Sequence, residues 1–124
     1  MFIRDVKKCK PFTASDDTTI CELLHPSREG IDIPYSIAHA TLEPGKASQP
    51  HGLRESSEVY YILEGKGEMH IGEKSANVVP GQSIYISPGS VQWIRNIGEI
   101  NLKFLCIVHP MWRAEDEFKP GEGE

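Results

Sequence analysis

The sequence predicts an all-β protein built as an antiparallel barrel or sandwich. Its 124 residues include 11 glycines and 9 prolines, a share well above that of a helical bundle. Turn signals such as Pro44-Gly45 and Pro80-Gly81 recur at short intervals, and the runs between them are rich in Val, Ile and Tyr. No segment with helical periodicity is longer than about three turns. We therefore expect many short strands in a single domain that spans residues 1–124.

Eight strands are expected between these turns, in a core that runs from about residue 18 to residue 110. They cover residues 18–23, 35–42, 58–63, 68–71, 76–79, 83–86, 91–96 and 102–108. A short N-terminal strand arm precedes the core, and an acidic tail follows it. In the tail we expect a helical turn within residues 112–118, a solvated acidic run at Glu115, Asp116 and Glu117, and disorder over residues 119–124.

The composition argues against nucleic acid and membrane as partners. The formal net charge is −5, and no cluster of Lys and Arg supplies the concentrated positive charge that binding to a nucleic acid backbone requires. No stretch approaches the roughly 20 apolar residues that span a bilayer. The first residues also lack the apolar run of a signal peptide, so we expect a cytoplasmic protein.

The three cysteines, Cys9, Cys21 and Cys106, are odd in number and widely spaced. They form no pair with the spacing of a metal site, and we interpret them as reduced thiols, in agreement with a cytoplasmic location. Cys21 and Cys106 lie in apolar, strand-like runs, where burial in the core is expected.

The strand at residues 58–63 predicts an enclosed site. Side chains alternate across a sheet, so Glu58, Tyr60 and Ile62 face one side and the residues between them face the other. Both faces are largely apolar, which is typical of a strand that is covered on both sides, for example by a barrel interior and by a second subunit. A carboxylate in such a place is costly unless it is hydrogen-bonded, paired or bound to a cation.

A glycine-bounded segment, GKASQPHGLRESSEVYYILEG, contains this glutamate. Gly45, His51, Glu58 and Gly65 follow one another in it at intervals of six, seven and seven positions. The segment resembles the first motif of the cupin superfamily, in which a glycine, a His-x-His pair, a glutamate and a second glycine follow in this order.

A second segment, GQSIYISPGSVQWIRN, resembles the second cupin motif and is in register with it at Gly81, Gly89 and Asn96. The 15 residues between the motifs match the short connection of small cupins. The resemblance covers residues 35–108, approximately. It implies a jelly-roll barrel, also described as a double-stranded β-helix.

Three positions depart from the cupin pattern. Leu53 replaces the second histidine of the first motif, Gln92 replaces the histidine of the second motif, and Ser87 replaces a proline. In cupins the motif histidines and the glutamate bind a divalent metal. The resemblance therefore implies a metal site formed by His51, Glu58 and Gln92, with Gln92 coordinating through its amide oxygen.

One imidazole, one carboxylate and one amide form a mixed nitrogen and oxygen donor set. Such a set suits Zn, Mn, Fe, Co or Ni, with water in the open positions. Gln49 would be a substitute fourth ligand if the strand alternation continues past Pro50. The alternative is a vestigial site in which His51 and Glu58 bond to each other or to water, while Gln92 only lines the pocket.

Contacts with a substrate are expected from Tyr60, which shares the face of Glu58, and from His39 and Gln49. The alternative for His39 is an ordinary strand histidine with a satisfied ring. The resemblance implies a metal-dependent, isomerase-like enzyme that acts on a small polar ligand such as a sugar or sugar phosphate. The alternative is a non-catalytic small-molecule-binding protein with a vestigial metal site. The resemblance also implies a homodimer, to which the two-sided apolar strands and Trp93 would contribute.

Overall fold

The computed structural model describes residues 1–122, and these residues form short strands with almost no helix. The strands are β1 Phe12–Thr13, β2 Thr19–Leu24, β3 Ser36–Leu42, β4 Gly52–Leu53, β5 Ser57–Glu64, β6 Gly67–Ile71, β7 Lys74–Val78, β8 Ser83–Ile86, β9 Gln92–Asn96, β10 Leu102–His109 and β11 Glu117–Phe118. A single helical turn, α1 Pro26–Glu29, and two 3₁₀ turns, Val6–Lys8 and Ala114–Asp116, complete the described chain. Within residues 1–122, no helix is both long and apolar enough to span a membrane.

Two antiparallel sheets face each other and enclose the core. The larger sheet has six strands in the order β1-β2-β3-β10-β5-β8, and the smaller has three in the order β7-β6-β9. The two-residue strands β4 and β11 pair with each other beside them. The predicted all-β antiparallel fold is therefore confirmed.

Each of the eight predicted strands is present, with its ends within two residues of the expected positions. The two-residue strands β4 and β11 were not predicted, because a two-residue strand carries no readable alternation. Strand β1 lies in the expected N-terminal strand arm. The expected helical turn in the tail is the 3₁₀ turn Ala114–Asp116. Residues 119–122, for which the sequence predicted disorder, form a turn closed by a hydrogen bond from the Glu122 N–H to the Lys119 carbonyl. Residues 123 and 124 lie outside the described residues.

The core lies between the inner faces of the two sheets. Ile62 and Phe104 from the larger sheet and Ile94 from the smaller sheet are fully buried, and Tyr60 packs against Phe104 with 4.6 Å between ring centroids. Burying such side chains is the main favourable contribution to folding. The predicted inner face of β5 is confirmed, because Glu58, Tyr60 and Ile62 are all buried.

The outer face of β5 is not covered by the described chain. Tyr61 is 40% exposed and Leu63 is 38% exposed. Within the described chain no other sheet covers this face of the larger sheet, and the expected cover by a second subunit stays a prediction.

Asn96, the last residue matched in the second motif, has a structural role. Its side-chain Nδ2 donates hydrogen bonds to the carbonyls of Leu42 and Ile100, and its Oδ1 accepts one from the Gly98 N–H. The side chain is 1% exposed. It therefore satisfies three backbone groups at the end of the smaller sheet.

The interpretation of all three cysteines as reduced thiols is wrong. Cys9 and Cys21 form a disulfide that ties the N-terminal arm to β2, while Cys106 is free and buried as expected. The pairing removes the argument that the cysteines gave for a cytoplasmic location, which stays a prediction.

Candidate functional site

A cavity of about 420 Å³ opens against the inner face of the larger sheet. Its apolar wall includes Ile20, Phe104, Val108 and Trp112. Its polar lining includes His51 and Glu58 from the first motif, together with Asp16 and Glu117 from outside both motifs. A concave, mostly apolar space with a few convergent polar groups is the usual form of a small-molecule site.

His51 is placed by the pairing of the two motif segments. Its backbone N–H donates to the Gln92 carbonyl at 3.1 Å, and the Gln92 N–H donates to the His51 carbonyl at 2.7 Å. The His51 Nδ1 lies 2.9 Å from the Gln49 carbonyl. Because a carbonyl only accepts, Nδ1 carries the proton, and Nε2 keeps a lone pair in the neutral ring. His51 is 7% exposed, and its orientation is thus fixed by the backbone.

Glu58 and Gln92 meet inside the protein. The Gln92 Nε2 donates a hydrogen bond to Glu58 Oε1 at 2.7 Å. Gln92 is 0% exposed, and no described residue donates a hydrogen bond to its Oε1. Burial raises the pKa of Glu58 from 4.5 to about 7, against the opposing effects of the Gln92 hydrogen bond and His51, with further upward contributions from Asp16 and Glu117.

Asp16 and Glu117 were missed by the sequence reasoning. Asp16 Oδ2 lies 3.8 Å from the His51 Nε2, and Glu117 Oε1 lies 3.9 Å from the same atom. Glu117 was expected on a solvated turn, but it lines the cavity, and its neighbour Asp116 is buried and accepts hydrogen bonds from the N–H groups of Glu55 and Ser56. Neither acid stands near a motif, so only the folded topology brings them to His51.

Among the expected substrate contacts, Tyr60 lines the cavity, and burial raises the pKa of its hydroxyl well above 10. Because of this raised pKa, Tyr60 stays protonated at neutral pH and can donate a hydrogen bond into the cavity. Its contact with a substrate stays a prediction.

The placement of His39 in the pocket is wrong. Ala38 lines the cavity and Ala40 is in the core, so His39 between them faces outwards on β3, next to Leu105 of β10. Burial, followed by the charge of Lys103, lowers its pKa below 6.5.

Gln49 does not reach the cavity as a ligand or a substrate contact. Its exposed side chain donates a hydrogen bond from Nε2 to Asp17 Oδ2 at 2.7 Å. The bridge between His51 and Gln92 is isolated, so regular strand alternation does not extend back through Pro50. Gln49 contributes instead through its backbone carbonyl, which orients His51.

The donors that the cupin resemblance implies for a metal are compatible with one chemically. His51 offers the Nε2 lone pair, Glu58 a carboxylate and Gln92 a buried amide oxygen without a partner. For Gln92 to bind through oxygen, its amide must turn so that Oε1 rather than Nε2 meets Glu58. Within residues 1–122, no three His, Cys, Asp or Glu side chains are arranged as a metal-holding group. A bound metal would supply Lewis-acid chemistry beside the cavity.

Comparison with known proteins identifies the family. The family model described as "Cupin domain" matches residues 38–108, which is more than half of the chain. The chain belongs to the cupin family. A relative in Methanocaldococcus jannaschii, the uncharacterised protein MJ1618, is 39% identical over 110 residues, which are 88% of this chain and 86% of that protein.

A second cupin relative is the oxalate-binding protein of Thermotoga maritima. It is 31% identical over 72 residues, which are 58% of this chain and 60% of that protein. The crystal structure of a predicted oxalate decarboxylase from Thermotoga maritima superposes with a TM-score of 0.77 at 24% identity, covering 89% of this chain and 99% of that one. Pac13, a nucleoside dehydratase, superposes with a TM-score of 0.76 at 15% identity, over 95% and 89% of the two chains. At these identities the solved structures show the shared barrel fold alone.

Proposed function

We propose that this cupin binds a small polar molecule in its barrel cavity, beside a divalent cation held by His51, Glu58 and Gln92. The observation that carries the proposal is the buried His51, whose Nε2 faces the cavity carboxylates without a hydrogen bond from any described residue. A fixed Nδ1–H to carbonyl bond is the usual way in which a protein orients a metal-binding histidine. Zn, Mn, Fe, Co and Ni all suit the mixed donor set.

An isomerase-like reaction on a sugar would use the cavity side chains as proton donors and acceptors. Glu58 would be held ionised as a metal ligand, so it would not carry the proton; its raised pKa of about 7 belongs to the metal-free chain. Tyr60 keeps its proton and would orient a ligand hydroxyl. This reaction class is the finer part of the proposal, since the barrel fold by itself fixes no chemistry.

A second candidate is metal-free binding without catalysis. It is favoured by the 2.7 Å hydrogen bond between Gln92 and Glu58, which joins two of the three expected ligands to each other. In this case Glu58 would hold a proton rather than a cation, and the cavity would act as a binding pocket only.

Metal analysis separates the two candidates. Protein incubated with Mn²⁺ or Zn²⁺ and dialysed is expected to retain one ion per chain, and His51→Ala is expected to lose it because the only imidazole donor of the proposed set is gone. Gln92→His, which restores the cupin pattern, is expected to raise the affinity about tenfold or more, as an imidazole replaces a neutral amide oxygen.

His39→Ala is the matched control, since this histidine faces away from the cavity and its loss should leave the metal content unchanged. A wild-type chain that retains no ion while Gln92→His does would favour metal-free binding. Competition against a chelating dye measures the affinities.

We further propose a homodimer that forms through the open outer face of the larger sheet. Cross-strand neighbours Val59, Tyr61, Tyr85, Leu105 and Ile107 make an apolar surface there, in which Tyr85 is 64% exposed. Apolar patches of this kind, with aromatic side chains at their centre, are typical of protein interfaces. Trp93 contributes to a different surface, because it stacks on His70 on the smaller sheet.

Light scattering at micromolar concentration is expected to give twice the mass of 13.9 kDa for the wild type and the single-chain mass for Tyr61→Lys/Tyr85→Lys. Ile100→Lys, which places the same charge at an exposed apolar residue between β9 and β10, should stay dimeric. A monomeric wild type, or a control that dissociates equally, would remove this interface.

A further inference from the structure

We propose that the cavity beside His51 selects ligands that carry a positively charged group and excludes dianions such as oxalate, and that Asp16 and Glu117 set this selection. The inference rests on the proposed function only in that the cavity is the ligand site. It goes beyond the cupin motifs, because neither acid belongs to them.

Each of the two carboxylates uses one oxygen within the protein and leaves the other facing His51. Asp16 Oδ1 accepts hydrogen bonds from the hydroxyl and the N–H of Thr18, and Glu117 Oε2 accepts one from the hydroxyl of Ser15. The remaining oxygens, Asp16 Oδ2 and Glu117 Oε1, lie 3.8 Å and 3.9 Å from the His51 Nε2, beyond hydrogen-bond distance.

The buried imidazole adds a third acceptor to the two carboxylate oxygens. The proton on the His51 Nδ1 is held by the Gln49 carbonyl, so the neutral ring presents only the Nε2 lone pair to the carboxylates. His51 is 7% exposed, and Nε2 has no hydrogen bond within the described chain. When His51 is neutral, its Nε2 and the two carboxylate oxygens are three acceptors with no donor from the described residues between them. An ammonium group or another cation would complete this arrangement.

The charged residues that line the cavity also favour a cationic ligand. Asp16, Glu58 and Glu117 line it, whereas the cationic Arg28 of the lining is paired with Glu22, another lining residue, at 3.1 Å. Among the described lining residues, no arginine or lysine is left to balance a dianion. Like charges at short range in a partly desolvated space repel strongly, so a dicarboxylate entering there meets repulsion and finds no charged partner.

Calorimetric titration at neutral pH tests this selection. The probes are two four-carbon molecules of opposite charge, 1,4-diaminobutane and succinate, and the shorter dicarboxylate oxalate. Metal-stripped wild-type protein is expected to bind 1,4-diaminobutane at least about tenfold more tightly than either dicarboxylate. Asp16→Asn/Glu117→Gln should lose about tenfold or more in affinity for the diamine and narrow or reverse the preference. Both substitutions keep the oxygens that accept from Thr18 and Ser15, and Glu117→Gln alone serves if the double variant does not fold.

Glu115→Gln is the matched control. It removes the same charge from an exposed acid two positions away that does not line the cavity, so the diamine affinity should not change. Repeating the titration with Mn²⁺ present distinguishes the two sources of positive charge. If Mn²⁺ weakens diamine binding, the two cations compete for the same negatively charged side of the cavity. If the diamine affinity is unchanged, the diamine binds there independently of the metal. Both results support selection for cations.

The inference is overturned if wild-type protein binds oxalate or succinate as tightly as the diamine, with or without Mn²⁺, or binds none of the three. It is also overturned if Glu115→Gln changes the affinities as much as Glu117→Gln, because the effect would then be one of net charge. The metal content of Gln92→His and of His51→Ala is measured separately, without the diamine or either dicarboxylate. Failure of charge selection and failure of the proposed metal site are therefore separate results.

Discussion

In metal-stripped protein, Glu58→Gln is expected to be more stable than the wild type by about 3 kcal/mol near pH 8, with the difference falling towards zero near pH 4. Glu58 is 7% exposed, and burial raises its pKa from 4.5 to about 7 in the folded state. The buried carboxylate thus opposes folding as the pH rises through about 7.

The direction of this stability change follows from proton binding by Glu58 in the folded and unfolded chains. The folded-state pKa of Glu58 is raised above its unfolded value, so between about pH 4.5 and pH 7 the folded chain holds a proton that the unfolded chain has released. Stability contributed by this group is fully present below the unfolded pKa and is lost as the pH rises through the folded pKa. Glutamine is uncharged throughout, and its side-chain oxygen can still accept the hydrogen bond from Gln92.

Urea unfolding of the two proteins at several pH values between about pH 4 and pH 8 measures the difference. Glu73→Gln, at an exposed position in the turn between β6 and β7, should show little change in stability relative to wild type over the same range. A constant difference between Glu58→Gln and wild type across this range would show that burial does not raise the pKa of Glu58. Saturating Mn²⁺ should reverse the order if the wild type binds it, since an ion that binds only the folded chain stabilises it.

The fold could be predicted because the residue patterns that specify its strands and turns each lie within a short stretch of sequence. The alternation in residues 58–63 predicted the buried positions of Glu58, Tyr60 and Ile62, since a two-residue period assigns each side chain to a face. The glycines of the motifs mark turns that only a few residue types adopt, as at Gly65, which has φ 84° and whose Cβ would lie 2.9 Å from the Asn101 carbonyl oxygen.

The candidate site could be predicted only where it lies within the motifs. The resemblance to the cupin motifs predicted that His51, Glu58 and Gln92 lie near one another. It predicted neither the backbone pairing of His51 with Gln92 nor the hydrogen bond from Gln92 to Glu58. Asp16 lies 35 residues before His51, and Glu117 lies 66 residues after it. Asp16 stands in the turn between β1 and β2, and Glu117 belongs to the two-residue strand β11, which no sequence pattern predicted.

The disulfide and the position of Gln49 could not be predicted, because both depend on the path of the chain outside the regular strands. Cys9 and Cys21 meet because the N-terminal arm folds back along β2, and no cysteine count reveals such a path. Gln49 was placed by extending strand alternation through Pro50, although the chain there makes only isolated contacts with β9.

Gly52→Ala is expected to destabilise the protein by about 2–3 kcal/mol and to disturb the acceptor cluster at His51. A Cβ at Gly52 would lie 2.5 Å from the Ser90 carbonyl oxygen and 2.6 Å from Cζ of Phe118. The carbonyl is backbone and cannot swing aside as the tip of a side chain can. Relief of the overlap must therefore shift β4 itself or the segments packed against it.

The consequence for the site follows from strand pairing. Gly52 pairs with Phe118, and Leu53 pairs with Glu117, so a shift between β4 and β11 changes the separation of Glu117 from His51. Gly52→Ala should then lose affinity for 1,4-diaminobutane, in the same direction as Glu117→Gln, even though it alters no charge.

Urea unfolding gives the stability change, and Gly98→Ala is the control. A Cβ at Gly98 would meet no atom closer than 3.5 Å, which is ordinary contact, and this glycine does not adopt a positive φ. Gly98→Ala should therefore unfold within about 1 kcal/mol of the wild type. Equal stability of the two alanine variants would contradict the close packing of Phe118 over Gly52. A destabilised Gly52→Ala chain that keeps full diamine affinity would instead show that the position of Glu117 does not depend on β4, because the glycine would then support the fold without supporting the site.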